Sequence, residues 1–267
     1  MKDLIGKIAI SLHRRTRAFK GKQVISRLTQ RLTGSTKQIS RDGIFLETRI
    51  TSTMDLSYLE EGGHSAIRNE ISNLKAGQVF LDIGANIGYF SLLASRAVGS
   101  QGLVLAIEPS QREVEIMIKN IRHNDASNIS VVSLAASQQK SLTELSIEPE
   151  HTGLNKISSE STSRHGQPVL TTSIDHIVPE QLLPIHLAKI DTEGFELFTL
   201  RGMKQLLESH SILRLIVEIS PDFLKEHNQK HEEIYSFLAS LGYQPSQLTI
   251  KSGKQWDEIF SLSAEPD

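Results

Sequence analysis

The sequence contains no cysteine. That excludes a disulfide framework, a thiolate nucleophile and any zinc site built on cysteine, and it fits a reducing compartment. No run of apolar residues is long enough to cross a bilayer. The first residues lack the compact apolar stretch of a secretory signal, so a cytoplasmic location is expected. Internal repeats and low-complexity tracts are also missing. Net charge is only −2, and bulk charge therefore names no partner. What remains is a chain of 267 residues, 38% of them apolar, enough for one large domain with an appendage.

The charge is unevenly spread. Residues 1–41 carry eleven Lys or Arg against one acid, Asp3; the remainder carries eighteen bases and thirty acids. A basic segment is joined to an acidic body, and the expected division is an arm over 1–41 and a single domain over 42–267. Leu4, Ile5, Ile8 and Leu12, then Val24, Ile25, Leu28 and Leu32, recur at roughly helical spacing with basic residues in the gaps. This predicts one or two amphipathic helices, broken near Gly21 and ended by Gly34. Such an arm either caps the domain with a solvated basic face or makes peripheral contact with an anionic membrane. Nucleic acid is disfavoured, because stacking on bases needs aromatic rings and the arm has only Phe19.

Strand-like runs follow at Gly43–Ile50, Val79–Ile83, Leu103–Ile107, Ile129–Leu134, His186–Ile190 and Leu213–Ile219. Helical patterns lie at Ser65–Leu74, Tyr89–Val98, Gln111–Asn124, Glu196–Ser209 and His231–Leu241. Strands alternating with helices predict an α/β fold with a parallel sheet covered on both faces. Leu142–Ile147 and Val169–Thr172 flank a patternless loop, His151–Pro168, placed where a binding loop can be inserted. Gln247–Lys251 and Glu258–Leu262 are weaker strands, expected to close one sheet edge as a hairpin.

The densest chemical signal is V-F-L-D-I-G-A-N-I-G-Y-F from Val79 to Phe90. A strand ends in Asp82, and a turn with Gly84 and Gly88 opens a helix. Gly84 permits a tight turn where a side chain would clash, and Gly88 permits close approach to the first helical turn. About 20 residues on, a second strand ends in Glu108, placed to accept ribose hydroxyls. A dinucleotide site wants a second glycine where Asn86 stands, and Asp82 would repel a pyrophosphate. S-adenosylmethionine carries an ammonium, a sulfonium and no phosphate, so the electrostatics favour it over NAD.

These residues resemble the FkbM-type class I methyltransferases. The similarity runs through the turn, V-L-A-I-E-P-S at 104–110, N-I-R-H-N at 120–124, A-K-I-D-T-E-G-F-E at 188–196 and L-R-G-M at 200–203, covering about Glu61 to Ser220. Thr192 stands where the family usually has Val. The resemblance implies a Rossmann-like fold: a mostly parallel seven-stranded sheet with an antiparallel C-terminal hairpin. It further implies methyl transfer from S-adenosylmethionine, commonly to a hydroxyl of a sugar or natural product. By position, Asp82, Gly84, Asn86 and Gly88 would line the methionine end and Glu108 would hold the ribose. Ala135 and Ala136 would lie near the adenine, and Glu70 near the cofactor.

Asp191, ending the fourth strand, and Glu193 are the candidate bases for removing the acceptor's proton. Their alternatives are to position substrate, bind a divalent ion or cap the next helix. No residue is assigned to a metal; His227 and His231 are four apart but lack the H-E-x-x-H pattern. Lys189 is expected to pair with an acid, Glu218 is a further pocket candidate, and His186 is expected to be a satisfied core residue. His64 and His151 lie where either could reach the pocket. Two other functions compete. A nucleic-acid methyltransferase would use the basic arm but lacks the N/D-P-P-Y/F motif, for which this chain has Asp191-Thr192-Glu193-Gly194. A non-catalytic cofactor- or partner-binding protein is opposed by the intact Asp82, Glu108 and Asp191.

Overall fold

The computed structural model describes residues 36–39, 42–48, 64–146, 156–158, 166–246 and 255–263. The helices expected before Gly34 and the strand expected at 247–251 lie outside them. Strands β1 (Thr36–Ile39) and β2 (Phe45–Thr48) form an antiparallel hairpin, so the boundary expected between 41 and 42 falls in its turn. Helix α1 (Ser65–Ser72) leads to β3 (Val79–Ile83), α2 (Tyr89–Val98), β4 (Leu103–Ile107), α3 (Gln111–His123) and β5 (Ile129–Val132). Four short strands follow: β6 (Ala135–Ala136), β7 (Ser141–Ser146), β8 (Lys156–Ser158) and β9 (Gln167–Thr172). The chain returns through β10 (Leu187–Ile190), α4 (Glu196–Arg201), α5 (Lys204–Glu208), β11 (Arg214–Ile219), α6 (Pro221–Glu226), α7 (His231–Ser240), β12 (Tyr243–Pro245) and β13 (Trp256–Leu262).

The main sheet has seven strands in the order β12-β13-β11-β10-β3-β4-β5. The five from β11 to β5 run parallel, and β13 and β12 close the edge antiparallel. This is the class I methyltransferase architecture. Parallel strands buried on both faces read as continuous apolar runs, as β3, β4 and β10 do. On one face Leu81, Ile83, Leu105, Ala188, Ile190, Leu215 and Val217 pack against Leu197 and Leu200 of α4 and Ile234 and Leu238 of α7. On the other, Phe80, Val104, Leu187 and Ile216 pack against Ile67 and Ile71 of α1 and Phe90 and Val98 of α2.

Strand alternation places the polar residues. Asp82 shares parity with Phe80, Lys189 with Leu187, and Glu218 with Ile216, so all three project from the α1/α2 face. Parallel register sets Lys189 beside Asp82, and antiparallel register sets Glu218 opposite Asp257. A polar ladder therefore crosses four adjacent strands near their site-facing ends, within an otherwise apolar layer.

The N-I-R-H-N segment fastens the β1–β2 hairpin to the domain. Asn120 is fully buried; its Oδ1 accepts the Glu47 N–H at 2.6 Å and its Nδ2 donates to the Ile87 carbonyl at 2.9 Å. Asn124 accepts from the Phe45 N–H at 3.0 Å and donates to the Phe45 carbonyl at 2.7 Å. Asn120→Ala strands a buried N–H and a buried carbonyl, each costing about 1–3 kcal/mol. Urea unfolding is expected to show a loss of about 2–4 kcal/mol; a loss under 0.5 kcal/mol would contradict the anchoring role.

The expected helix over Glu196–Ser209 is broken in two. Gly202 lies so close to the neighbouring chain that a Cβ there would sit 2.2 Å from the Ser137 carbonyl oxygen. The Asp175 carboxylate accepts the N–H groups of Gln205 and Leu206 at 3.0 and 3.1 Å, starting α5 afresh. The first strand of the C-terminal hairpin is Tyr243–Pro245, ahead of the expected position. His186 lies just before β10, half-buried, and its Nδ1 accepts the Val79 N–H at 3.2 Å. The segment after β5 builds a second sheet, in the order β6-β9-β7-β8, over a small core of Ala135, Leu145 and Val169. Strand β8 lies within the stretch expected as an unpatterned loop.

Candidate functional site

The turn after β3 sets the site. The N–H groups of Gly84 and Ala85 both donate to the Ile107 carbonyl, at 2.9 and 3.0 Å, which holds the turn against the end of β4. Gly84 has φ +77°, and a Cβ there would lie 1.7 Å from the Asp191 carbonyl oxygen. The clash anticipated for this glycine is thus with the end of β10. Gly88 has φ +84°, and its missing Cβ makes room for Met117 of α3, whose Cγ would lie 2.6 Å away. The close approach at Gly88 is that of α3, through Met117.

Asp82 is fully buried. Its Oδ2 accepts the Ser91 hydroxyl at 2.6 Å, whereas its Oδ1 has no hydrogen-bond partner. Burial pushes its pKa up, against the pull of Lys189 and Ser91. Asn86, at φ +51°, is buried with its Oδ1 also unpartnered. Glu108 is buried, with one carboxylate oxygen accepting the Asn86 N–H and the other the Ser110 N–H, both at 2.9 Å. Burial and the neighbouring Glu113 raise its pKa to about 8, despite those two donors.

Lys189 is 2% exposed and lies between two acids, with Nζ 2.8 Å from Asp191 Oδ2 and 4.0 Å from Asp82 Oδ1. It also stands 5.2 Å from the centre of the Phe90 ring. Burial alone would lower its pKa, but Asp191 and Asp82 more than reverse that and hold it charged. Pairing with an acid is therefore its structural role.

Past β10, the Asp191–Gly194 turn is shaped by Glu196, a residue for which the sequence suggested no role. Glu196 is fully buried, and its Oε1 accepts from the Thr192 N–H at 3.0 Å, the Thr192 hydroxyl at 3.2 Å and the Gly194 N–H at 3.0 Å. The available signal was its place at the first position of a helix, two residues after a glycine, where orphan N–H groups need an acceptor. Burial raises its pKa to about 7.

Carboxylate oxygens of Asp191, Glu193 and Glu218 converge within 4.8 Å of one another. Glu218 accepts from the Gln255 side-chain amide and, at 3.4 Å, from the Ser220 hydroxyl. Burial and then Asp191 drive its pKa well above the ordinary carboxylate value. Asp257 is raised to about 6 by burial and by Asp191. The crevice at the carboxyl edge is thus lined by carboxyl groups, and Lys189, the one buried cation among the described residues, is already engaged.

Glu70 is placed elsewhere. Its carboxylate pairs with Arg214 at 2.5 Å, and Arg214 is the first residue of β11. Five residues at about 3.3 Å each separate that end from the sheet's carboxyl edge, which removes Glu70 from the expected cofactor position. Ala135 and Ala136 are buried and pair with Thr171 and Thr172, and the Ala136 carbonyl accepts the Thr199 hydroxyl at 3.3 Å.

These raised acids have a consequence for stability. Glu108, Glu196 and Asp257 hold protons in the folded chain at pH values where the unfolded chain has released them. Stability is complete below their unfolded values, near 4, and is lost as pH rises through about 6, 7 and 8. One pKa unit corresponds to about 1.4 kcal/mol, and 1 kcal/mol moves Tm by roughly 2–4 °C in a domain of this size. The Tm of the ligand-free protein is expected to fall by at least ~4 °C between pH 5.5 and 8.5; a flat or rising Tm would contradict these assignments.

The residues fit S-adenosylmethionine. Two buried oxygens at the turn, Asp82 Oδ1 and Asn86 Oδ1, still need donors, and a buried acceptor without one is costly. The acidic crevice also attracts an ammonium and a sulfonium. Bound there, the cofactor supplies a methyl group already activated by positive sulfur. Asp82 and Asn86 would hold the methionine end and Glu108 the ribose.

The model of the methyltransferase FkbM domain matches residues 82–245, more than half of the chain. The hexuronic acid methyltransferase AglP of Haloferax volcanii is 28% identical over 162 residues, covering 59% of this chain and 62% of AglP. This chain thus spans under two thirds of AglP's length. The methyltransferase sdnD of Sordaria araneosa is 27% identical over 179 residues, covering 55% of this chain and 68% of sdnD. Among solved structures, precorrin-6y C5,15-methyltransferase from Geobacter metallireducens is 14% identical with a TM-score of 0.45, covering 74% of this chain and 87% of that one. The chain belongs to the FkbM methyltransferase family, and its cofactor is S-adenosylmethionine.

Proposed function

We propose that this protein methylates a hydroxyl of a sugar, a glycan or a related natural product. The observation that carries this reading is the sign of the crevice. Asp191, Glu193 and Glu218 crowd within 4.8 Å, with Asp257 paired beside Glu218, and Lys189 is taken up by Asp191. Like charges at this range are unfavourable in a partly buried site. A phosphate-rich nucleic acid is therefore repelled; a neutral hydroxyl is not.

Aromatic rings support a sugar. Phe195 and Phe198, with ring centres 4.9 Å apart, lie half-buried at the start of α4 beside the Asp191–Gly194 turn, and His227 meets the Phe195 ring edge-on at 4.6 Å. Such rings offer an apolar face to the C–H face of a pyranose. The hexuronic acid substrate in the relative's name points to the same class.

The test is transfer of radiolabelled methyl to a panel of neutral glycosides, uronic acid glycosides and transfer RNA. Label is expected on a glycoside and should survive mild base, as an ether does. Label lost in base, as from an ester, or label confined to RNA would overturn the reading. Peripheral contact of residues 1–41 with an anionic membrane belongs to the same proposal. No helix among the described residues is long and apolar enough to cross a membrane. Flotation with phosphatidylglycerol vesicles should capture the full chain, and a chain lacking 1–35 captured equally well would remove the arm from that role.

A further inference from the structure

The turn after β10 bears both candidate bases, Asp191 and Glu193, and it rests directly on the cofactor turn. The Asp191 N–H donates to the Ile83 carbonyl at 3.0 Å, and the Asp191 carbonyl oxygen lies 1.7 Å from where a Gly84 Cβ would stand. Methyl transfer needs the acceptor oxygen in line with the methyl carbon, and a misplacement of about 1 Å costs roughly 10²-fold in rate. Whatever fixes the backbone from Asp191 to Gly194 therefore fixes that alignment.

Glu196 is placed to do this. It is fully buried, so its carboxylate meets the turn and not the acceptor. Its Oε1 accepts the Thr192 N–H at 3.0 Å, the Thr192 hydroxyl at 3.2 Å and the Gly194 N–H at 3.0 Å, and its Oε2 lies 3.1 Å from the same Gly194 nitrogen. One carboxylate thus grips the turn on both sides of Glu193. Glu193 has φ +51° and Gly194 φ +99°, and a left-handed backbone is unfavourable for a glutamate. Such strain persists only where surrounding structure over-determines it; here the bonds to residues 192 and 194 supply the constraint. In the geometry so enforced, carboxylate oxygens of Asp191, Glu193 and Glu218 converge within 4.8 Å. Without Glu196 the buried Gly194 N–H loses its acceptor, and Glu193 is released to relax away from that arrangement.

We propose that Glu196 is a positioning residue for methyl transfer: through the Asp191–Gly194 turn it holds the acceptor-side carboxylates in line with the methyl donor, without touching acceptor or cofactor. The assignment rests on the hydroxyl-methylating reading above. The Thr192 hydroxyl belongs to the same clamp, since it is one of the three donors to Oε1. The clamp acts beyond the end of β10. The pairing of β10 with β3, from Leu187↔Phe80 to Ile190↔Ile83, does not depend on it, so the cofactor turn keeps its place when the clamp is lost. Alignment and cofactor binding are therefore separable.

The test is the rate of labelling of the glycoside by the full chain, expressed per cofactor-binding site counted by titration calorimetry. Counting sites removes any unfolded fraction, which is all that a purely structural role would change. Glu196→Ala should lower kcat per site by about 10²-fold, while affinity for S-adenosylmethionine changes less than about threefold. Glu196→Gln keeps an oxygen for all three donors and should regain at least about tenfold of that loss. Thr192→Val removes one donor, leaves the carboxyl in place and should lower kcat by about three- to tenfold. Glu196→Ala keeping more than a third of its kcat per site, Glu196→Gln no faster than Glu196→Ala, or cofactor affinity falling in step with rate would overturn the assignment alone. Should Glu196→Ala fail to fold, Thr192→Val decides: the stated loss upholds the clamp and a wild-type kcat overturns it. A wild-type enzyme that labels no hydroxyl would overturn the parent reading, and the role of Glu196 with it.

Discussion

Lys189→Met should lower the Tm by roughly 6–20 °C, one of the two largest effects expected from a single substitution in this protein. Lysine and methionine are similar in volume, so the packing against Phe90 survives while the charge is lost. Asp82 is then fully buried beside Asp191 with no counter-ion. Breaking a buried pair from one side costs about 3–5 kcal/mol, because the partner charge is left uncompensated; at 2–4 °C per kcal/mol this gives the stated range. Two controls isolate the cause. Lys204→Met removes an exposed cation paired with Glu208 at 3.4 Å and should cost under about 0.5 kcal/mol. Adding Asp82→Asn to Lys189→Met removes the stranded charge and should recover part of the loss. Calorimetric melting at pH 7 decides the matter: if Lys189→Met melts like Lys204→Met, the buried pair does not stabilise the sheet.

Gly84→Ala should abolish cofactor binding and sharply reduce soluble yield. An alanine at φ +77° costs about 1 kcal/mol. The added methyl would also stand 1.7 Å from the Asp191 carbonyl oxygen, so β3 and β10 must part or the turn must rebuild. Overpacking of that kind costs typically 1–3 kcal/mol more. It also displaces Asp82, Lys189 and Asp191 together, since Lys189 faces Asp82 in register. Gly77→Ala is the matched control, because Gly77 has φ +84° with nothing within 4 Å of its missing Cβ. It should lose only the conformational term, about 1 kcal/mol, and bind the cofactor normally. Equal losses in the two variants, measured by urea unfolding, would show that the contact with Asp191 is unimportant.

The residues readable in advance were those whose role follows from one short segment. Asp82, Gly84 and Glu108 belong to a strand–turn–helix unit whose geometry is nearly local, and each sits where its spacing placed it. Gly88 reads as a site of close approach, but the neighbour it admits, Met117, lies on a helix almost thirty residues away and could not be named from the segment alone. Lys189 and Glu218 show the opposite difficulty. A charged residue in a strand says nothing of which strand it faces, and only the pairing of β10 with β3 and of β11 with β13 makes them a ladder. Glu70 reads as a residue on the helix before the first strand, but a helix antiparallel to that strand carries its later turns toward the sheet's amino edge. There Arg214 holds it. The break at Gly202 was hidden because its cause, the Ser137 carbonyl, belongs to another part of the chain.

Titration calorimetry with S-adenosylmethionine and with NAD, on the wild-type protein and on Asp82→Asn, bears most directly on the acidic crevice as a seat for a cationic sulfur cofactor. The wild type should bind S-adenosylmethionine and not NAD, and Asp82→Asn should bind the former at least about 10-fold more weakly, a loss of ~1.4 kcal/mol or more. Tight binding of NAD, or an affinity for S-adenosylmethionine untouched by the substitution, would contradict it.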